Sequence, residues 1–573
     1  MQNVLGISSG TTDARVSALE VLLVAEREQV AKLTVERDLL RAAHERLRLE
    51  LELLKRRIFA AKAERVDTAQ LELEFAQRLA ELDQLASVPA PVAPPAQPEG
   101  GGDGASKPAK HKPTGRRDLR KAALEEERLE LSDPLLEQLV LEGKATRIGF
   151  EESCKLAWRR GGMRRLVVAR VKYAVIDQAG ESAVETTPMP PESFERSLAA
   201  PSMLAHVISD KLTDGLPLNR TQERFAREGF SVDRGTMSRW TEDAGATVGA
   251  TIIAAARAEA MATAFCIATD ATGISVLPER LESKQRQACR RGHYFVLIAD
   301  KDHIFFEYEP RETSAAVSEM FRDFSGYVQA DAKSVFDALF RPPVDKSPDT
   351  DEITPLRQEV GCWSHCRRGF WEATVAKDAV AREGLARIGR LFALEASWLG
   401  RPPAEIKRLR EAHLRPHLEA FFAWAEQQYN LVRHQRGLLR SALGYAIRQK
   451  DALLRVLEDG RLVLDNNRSE RALRKIAVGR NAWLFVGSDD HAASTGHLLS
   501  LIASARLHRL DPEAYLRDLF RVLAHWPRDR YLELAPKYWA ATRARLDPVV
   551  LAREFGEISV PSALPAQEQP GSR

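Results

Sequence analysis

At 573 residues the chain exceeds what one hydrophobic core organises, so roughly three or four folding units are expected. A formal net charge of +3 and a pI near 8.5 exclude a globally basic nucleic-acid coat, so any contact with DNA must come from local patches. Five cysteines (Cys154, Cys266, Cys289, Cys362 and Cys366) form no CxxC pair, which argues against a disulfide framework and for a reducing compartment. No basic stretch followed by an apolar one opens the chain, and the most apolar run, 245–270, is broken by Arg257 and Glu259. The reading is therefore no export signal, no membrane span and a cytoplasmic protein.

From about Val16 to Leu85 the sequence is charged and leucine-rich. Leu33, Leu40, Leu47 and Leu54 are spaced by seven, which predicts a coiled coil over 1–86, the alternative being a long helix folded back on its own chain. Lys55, Arg56, Arg57, Lys62 and Arg65 make a basic end. Residues 87–117 are rich in Pro, Gly and Ala and end in Lys107, Lys110, Lys112, Arg116 and Arg117, the composition of a disordered basic linker. A small mixed domain is expected over 118–195, with Leu166–Ile176 as a strand.

Residues 196–250 read as helix, turn, helix, in which Ser231 or Asp233 caps a short last helix. Arg234, Ser238 and Arg239 fall on its outer side and Met237 and Trp240 on its inner side. This is the outline of a helix-turn-helix whose last helix can enter a DNA major groove, although helix pairs with Met and Trp at helical spacing also serve simply as core.

Between 255 and 340 the period changes. AFCIATD, TGISVL, HYFVLIAD and IFFEYEP are strand candidates, followed by a helix from about Ser314 to Phe324, a strand GYVQAD and a helix starting in AKSVFDALF. A three-strand meander, a helix, a parallel strand and a helix outline a ribonuclease-H-like domain. One strand candidate is then in excess, so TGISVL must merge or pair with HYFVLIAD. Asp270 lies on the first strand and Asp331 at the end of the fourth, side by side in such a sheet. After Asp331 the pattern is helical, an all-α insertion over 341–460, before Glu470 appears in DNNRSERALRK. Three carboxylates from different elements can hold paired Mg²⁺ or Mn²⁺ ions for phosphoryl transfer; the alternative is that they are ordinary solvated acids. Asn467, Glu470, Arg471 and Arg474 recur at three and four and so share a helix face, placing bases that can hold phosphate beside the acid.

Taken together, LKRRIFAAKAER, PSMLAHVISDKLTDGLPLNRTQERFAREGFSVDRGTMSRW, GYVQADAKSVFDAL, EVGCWSHCRRGFWEA, LDNNRSERALRKIAVGRNAWLFVGSD and LIASARLHRLDPEAYLRDLF resemble, in order, the transposases of the insertion sequence 66 family, a bacterial branch of the DDE transposases. The resemblance implies Asp270, Asp331 and Glu470 as catalytic metal ligands for two Mg²⁺ (or Mn²⁺) ions. It also implies a core completed by 461–525, with a C-terminal helical region and tail over 526–573. Lys475, Arg480 and Trp483 would extend the DNA track, Trp483 by stacking on an unpaired base, unless it is a core residue. Cys362 and His365 match a C-x-x-H signature whose plainer role is to brace the insertion, since two ligands make no closed zinc site.

Two departures stand out. Relatives commonly carry a cysteine-rich zinc module where this chain, between Leu135 and Gly180, has only Cys154, so no structural zinc is expected. Many also follow the first aspartate with glutamate, where Ala271 stands here. The implied function is metal-dependent cleavage at insertion-sequence ends and strand transfer into target DNA. It would be carried out by a homodimer or higher assembly associated with the nucleoid, with companion proteins of the same element as possible partners. The rivals are a non-catalytic dimeric DNA-binding protein and a nuclease of the same fold that does not join strands.

Overall fold

The computed structural model describes residues 26, 29, 119–121, 124–159, 162–176, 182–195, 197–278, 288–341 and 357–565. The coiled-coil and linker readings for 1–117 and the extreme C-terminal tail lie outside these residues, apart from two isolated positions. The described chain is a mixed α+β structure with two sheets.

The first sheet holds β1 (Glu125–Leu131), β2 (Ala145–Arg159), β3 (Gly162–Ile176) and β4 (Ser182–Thr186), with α1 (Pro134–Leu141) between β1 and β2. β2 and β3 form a long antiparallel pair, β1 runs parallel to the first half of β3, and β4 pairs antiparallel with its second half. Val168, Val171 and Tyr173 are buried, while the ion pairs Arg164–Glu125, Arg165–Glu126 and Arg170–Glu151 join residues that lie opposite one another on adjacent strands. Opposite charges on neighbouring strands fix the register as well as adding a little stability.

Next come α2 (Pro201–Leu212), α3 (Leu218–Arg227), α4 (Arg234–Ala244) and α5 (Ala250–Thr263). Of the two capping candidates Asp233 does the work, its carboxylate accepting from the Gly235 N–H at 2.8 Å. Met237 and Trp240 are buried and Arg234 and Arg239 are exposed, as the helical spacing predicts, with Ser238 half-buried. A single π turn, Gly245–Gly249, joins α4 to α5 without a break. Gly245 is required there, because any Cβ would overlap the Ser494 carbonyl.

The second sheet contains β5 (Cys266–Val276), β6 (Arg290–Ala299), β7 (His303–Glu309), β8 (Gly326–Gln329) and β9 (Arg357–Val360), in the order β7-β6-β5-β8-β9. β5, β6 and β7 are an antiparallel meander, and β8 and β9 run parallel to β5 and to each other. The short α6 (Ser314–Met320) links β7 to β8. Three expectations are corrected here. TGISVL is no separate strand and does not merge with HYFVLIAD but continues AFCIATD as β5, through Gly273, where a side chain would strike Arg291. The other option read for it, antiparallel pairing with HYFVLIAD, holds at its start, Thr272 lying opposite Tyr294 and Gly273 opposite His293. AKSVFDALF yields only a 3-10 turn, Asp337–Phe340. The stretch after Asp331 is not purely helical either, because RQEV forms β9 at the sheet edge.

The insertion comprises α7 (Trp363–Val375), α8 (Ala379–Ser397), α9 (Pro403–Leu409), α10 (Arg415–Val432), α11 (Leu438–Arg448) and α12 (Lys450–Leu454). It has its own core around Trp363, Phe370, Phe421 and Phe422, separate from the larger core that joins the second sheet to α2–α5. Chain entry and exit are stitched side by side, with the Trp363 N–H donating to the Leu464 carbonyl at 2.8 Å. The chain then returns as α13 (Asn467–Trp483), α14 (Asp489–Leu507), α15 (Pro512–Val522), α16 (Pro536–Arg543) and α17 (Pro548–Ala552). α14 presents Gly496, Ser500 and Ser504 at four-residue spacing to β7. Ser500 and Ser504 accept from the Phe306 and Ile304 N–H groups at 2.7 and 3.0 Å. Edge donors that would otherwise recruit another strand are thereby covered.

Candidate active site

Asp270 lies mid-way along β5, the central strand, and Asp331 follows β8 by two residues. The parallel register pairs Ala268 with Gln329, so two further steps set Asp270 opposite Asp331 with both side chains on one face. The two carboxylates meet at one cation, since the Lys333 ammonium is 3.4 Å from Asp270 Oδ1 and 3.2 Å from Asp331 Oδ2. A turn in which the Lys333 N–H donates to the Asp331 carbonyl folds the lysine back over the pair. Asp270 Oδ1 also accepts from the Ala271 N–H at 2.7 Å. Burial raises the Asp331 pKa and the neighbouring Asp270 adds to the rise, with Lys333 and His365 opposing it. The Lys333 pKa is raised despite burial, because both aspartates favour its charged form.

Glu470 stands exposed in the first turn of α13, 3.7 Å from His365 Nε2. His365, in the first turn of α7, reaches Glu470 and is near enough to Asp331 to oppose the rise of its pKa. The start of α13 is fastened to the sheet beside Asp270: Asn466 Nδ2 donates to the Thr269 carbonyl at 2.7 Å, and Ser469 Oγ donates to Asn466 Oδ1. The Asn466 N–H donates to Cys362 Sγ at 3.2 Å. Burial pushes the Cys362 thiol up to about 11, and the residue works as a brace between the insertion and α13. Its motif partner His365 is turned toward the acids.

Among the described residues, no three His, Cys, Asp or Glu side chains stand close enough together to hold an ion. The aspartates converge on Lys333, while Glu470 faces His365. The donor set nonetheless suits a hard cation. Asp331 Oδ1 and His365 Nδ1 are enclosed without a hydrogen-bond partner, and a positive group already sits between the two aspartates.

Further along α13, Arg471 and Arg474 are exposed on the side of Glu470 and Asn467 is half-buried. The rest of the expected DNA track turns inward, and for Trp483 the core alternative holds. Arg480 is spent on the sheet, donating to the Gly273 carbonyl at 2.9 Å and reaching Thr272 Oγ1 at 3.4 Å. The Lys475 ammonium is enclosed without a partner, and Trp483 is folded under Gly479 against the core with its Nε1 enclosed. Lys333 and Asn466 were not singled out from the sequence. The signals available were a lysine two positions after the second acid and the first asparagine of DNN, and neither discloses its contact without the fold.

These features describe an α+β protein with two aspartates paired to one lysine at the joint between a mixed sheet and a crossing helix. Comparison with known families matches residues 196–494, more than half of the chain, to "Transposase IS66 family", residues 500–536 to "IS66 C-terminal element", and residues 46–128 to "Transposase C of IS166 homeodomain". The chain belongs to the IS66 family of transposases. Among curated proteins it is similar to the uncharacterized protein y4hP of Sinorhizobium fredii, 26% identical over 398 residues that cover 65% of this chain and 67% of that one. The uncharacterized protein y4qI of the same organism is 25% identical over 394 residues, covering 68% and 71%.

Proposed function

We propose that this chain is a DNA transposase that cuts at the ends of an insertion sequence and transfers the freed strands into target DNA, with Asp270, Asp331 and Glu470 as its catalytic acids. The observation that carries this reading is the convergence of Asp270 and Asp331, from adjacent parallel strands, on a single positive charge beside a helix whose first turn bears Glu470. The strand order, a three-strand meander extended by two parallel strands, supports assigning the sheet to the ribonuclease-H-like fold. Divalent Mg²⁺ or Mn²⁺, two ions when fully loaded, would activate the attacking oxygen and neutralise the leaving one.

The chain's own residues supply the rest. Asp270 and Asp331 present adjacent carboxylates from a rigid sheet, and Asn466 holds the α13 start against β5 so that Glu470 can turn from His365 toward the pair. Arg471 and Arg474 line the same helix face and neutralise phosphates next to the scissile one. Arg234 and Arg239 on α4 supply a separate phosphate or base-edge contact, with Ser238 beside them. Both chemical steps are in-line displacements at phosphorus, so no covalent protein intermediate is needed. Two element ends must be handled together, which calls for at least a dimer. A second reading, a DNA-binding protein without chemistry, draws on Lys333 already neutralising the aspartates and on Ala271.

Strand cleavage and joining on DNA carrying the element's own ends, with Mg²⁺ or Mn²⁺, tests the proposal. Wild type should cut and join, while Asp331→Asn should bind the same DNA equally well and lose at least about a thousandfold in rate, a few kcal/mol of barrier. Equal cleavage by both would remove Asp331 from the mechanism. Binding without cleavage by wild type would leave the second reading.

A further inference from the structure

The all-α insertion is far more basic than the chain as a whole. Over 363–454 it carries 16 Lys and Arg against nine Asp and Glu, a net of +7, where the whole chain has +3. Its acids are spent close to home. Glu372, Glu383, Glu405 and Glu411 each pair with an arginine four residues away, Glu395 pairs with Arg410 and Glu426 with Lys450. The surplus gathers in the hairpin that joins α10 to α11. No Asp or Glu occurs between Glu426 and Asp451, and Arg433, Arg436, Arg440 and Arg448 all stand exposed, without an ion pair among the described residues. The Arg440 guanidinium donates to the Arg433 carbonyl at 3.1 Å and so closes the hairpin.

The fold places this charge on a particular side of the acids. α4 packs on α14 along the β7 edge of the second sheet, Gly245 lying against Ser494, whereas the insertion leaves from β9 at the opposite edge. Asp270 on β5 and Asp331 just after β8 stand between the two. A surface of guanidinium groups with no carboxylate among them suits a polyanion. We infer that the α10–α11 hairpin grips phosphates of the DNA that flanks the element, on the far side of the cleavage point from the segment held by α4. This role rests on the transposase reading above.

Two contacts locate the hairpin. The Gly361 N–H donates to the Ala452 carbonyl at 2.9 Å, and Gly369 lies against Ala442, where a Cβ would come within 3.2 Å of the Ala442 side chain. α7 and α11 are therefore antiparallel, and the hairpin lies at the end of α7 away from His365. On α11 the exposed Arg448 falls at the His365 end and Arg440 two turns, about 12 Å, further out. Along α7, His365 to Ala373 likewise spans about 12 Å, or about three or four base pairs at 3.4 Å each, so the hairpin meets the flank from about the fourth base pair outward.

The test is binding of the full chain in Ca²⁺, without turnover, to three duplexes: an element end that stops flush at the cleavage point, the same end with about two flanking base pairs, and the same end with about ten. Wild type should bind the long flank about tenfold more tightly than either other duplex, a gain that falls steeply with salt. The triple variant Arg433→Gln/Arg436→Gln/Arg440→Gln should bind all three alike and the flush end as before, with a log–log salt slope on the long duplex shallower by about two or three. Arg433→Lys/Arg436→Lys/Arg440→Lys should keep the gain, which separates charge from folding. Arg234→Ala, on α4, should weaken all three duplexes alike. A wild type indifferent to the flank, or a glutamine variant that keeps the gain or weakens on the flush end as well, would overturn the hairpin's role while leaving cleavage of element ends standing. A wild type that binds none of the duplexes would overturn both.

Discussion

Lys333 holds together two carboxylates that would otherwise repel each other across neighbouring strands. On the proposed function a cation that takes its place must displace the ammonium, so the lysine would stabilise the metal-free protein and compete with the metal. Lys333→Met should therefore lower the melting temperature of the metal-free protein and tighten Mn²⁺ binding several-fold by isothermal titration calorimetry; unchanged affinity would show that the ammonium is not in the ion's way. The two aspartates were legible because each closes a β-branched or aromatic run, and Glu470 because it sits in a helical repeat of charges. Lys333 was not, because its role depends on a turn that brings a long side chain back over the residue two positions before it. Asn466 and Asn467 look equivalent in DNNRS, and only the fold decides that the first reaches the Thr269 carbonyl while the second does not.

At the scale of elements, the helix that carries Arg234 and Arg239 is mechanically continuous with β5. α4 passes through the π turn into α5, and α5 ends three residues before the strand that bears Asp270. Gly245 lets that rod lie directly on α14. Gly245→Ala forces an overlap with backbone that cannot swing away, and should cost about 1–3 kcal/mol in chemical denaturation; a neutral substitution would mean that the rod is not packed on α14. The helices were legible from their caps and periodicity, β6 from an unbroken apolar run and β7 from its aromatic residues. β9 escaped because Arg357, Gln358 and Glu359 show no apolar alternation and the strand exists only through pairing with β8. β5 was divided in two because Gly273 reads as a break, whereas the sheet uses it to admit Arg291.

Across the whole molecule, an insertion with its own core leaves and rejoins the sheet at neighbouring points, so the third acid can follow more than a hundred residues after the second and still begin its helix beside the first. The C-terminal helices are tied to the second sheet by Glu259 of α5, which accepts from Lys537 Nζ at 2.9 Å and from Tyr538, and meets His303 Nε2 at 2.9 Å. Burial alone would raise this carboxyl, but the hydrogen bonds from His303, Tyr538 and Lys537 pull it down to about 2. Its contribution is therefore complete above about pH 4.5 and fades as the pH falls toward 2. Glu259→Gln should cost on the order of 3 kcal/mol at pH 7, with the gap to wild type narrowing below about pH 4.5 in thermal melts. A gap independent of pH would assign the loss to packing instead of charge.

The claim on which the function rests is that Asp270, Asp331 and Glu470 share divalent cations, and anomalous diffraction from crystals soaked in Mn²⁺ tests it most directly. The account predicts density between Asp270 and Asp331, with Lys333 displaced and Glu470 turned from His365 toward the metal. Crystals in which Mn²⁺ binds elsewhere, or not at all, while Lys333 keeps both aspartates, would contradict it.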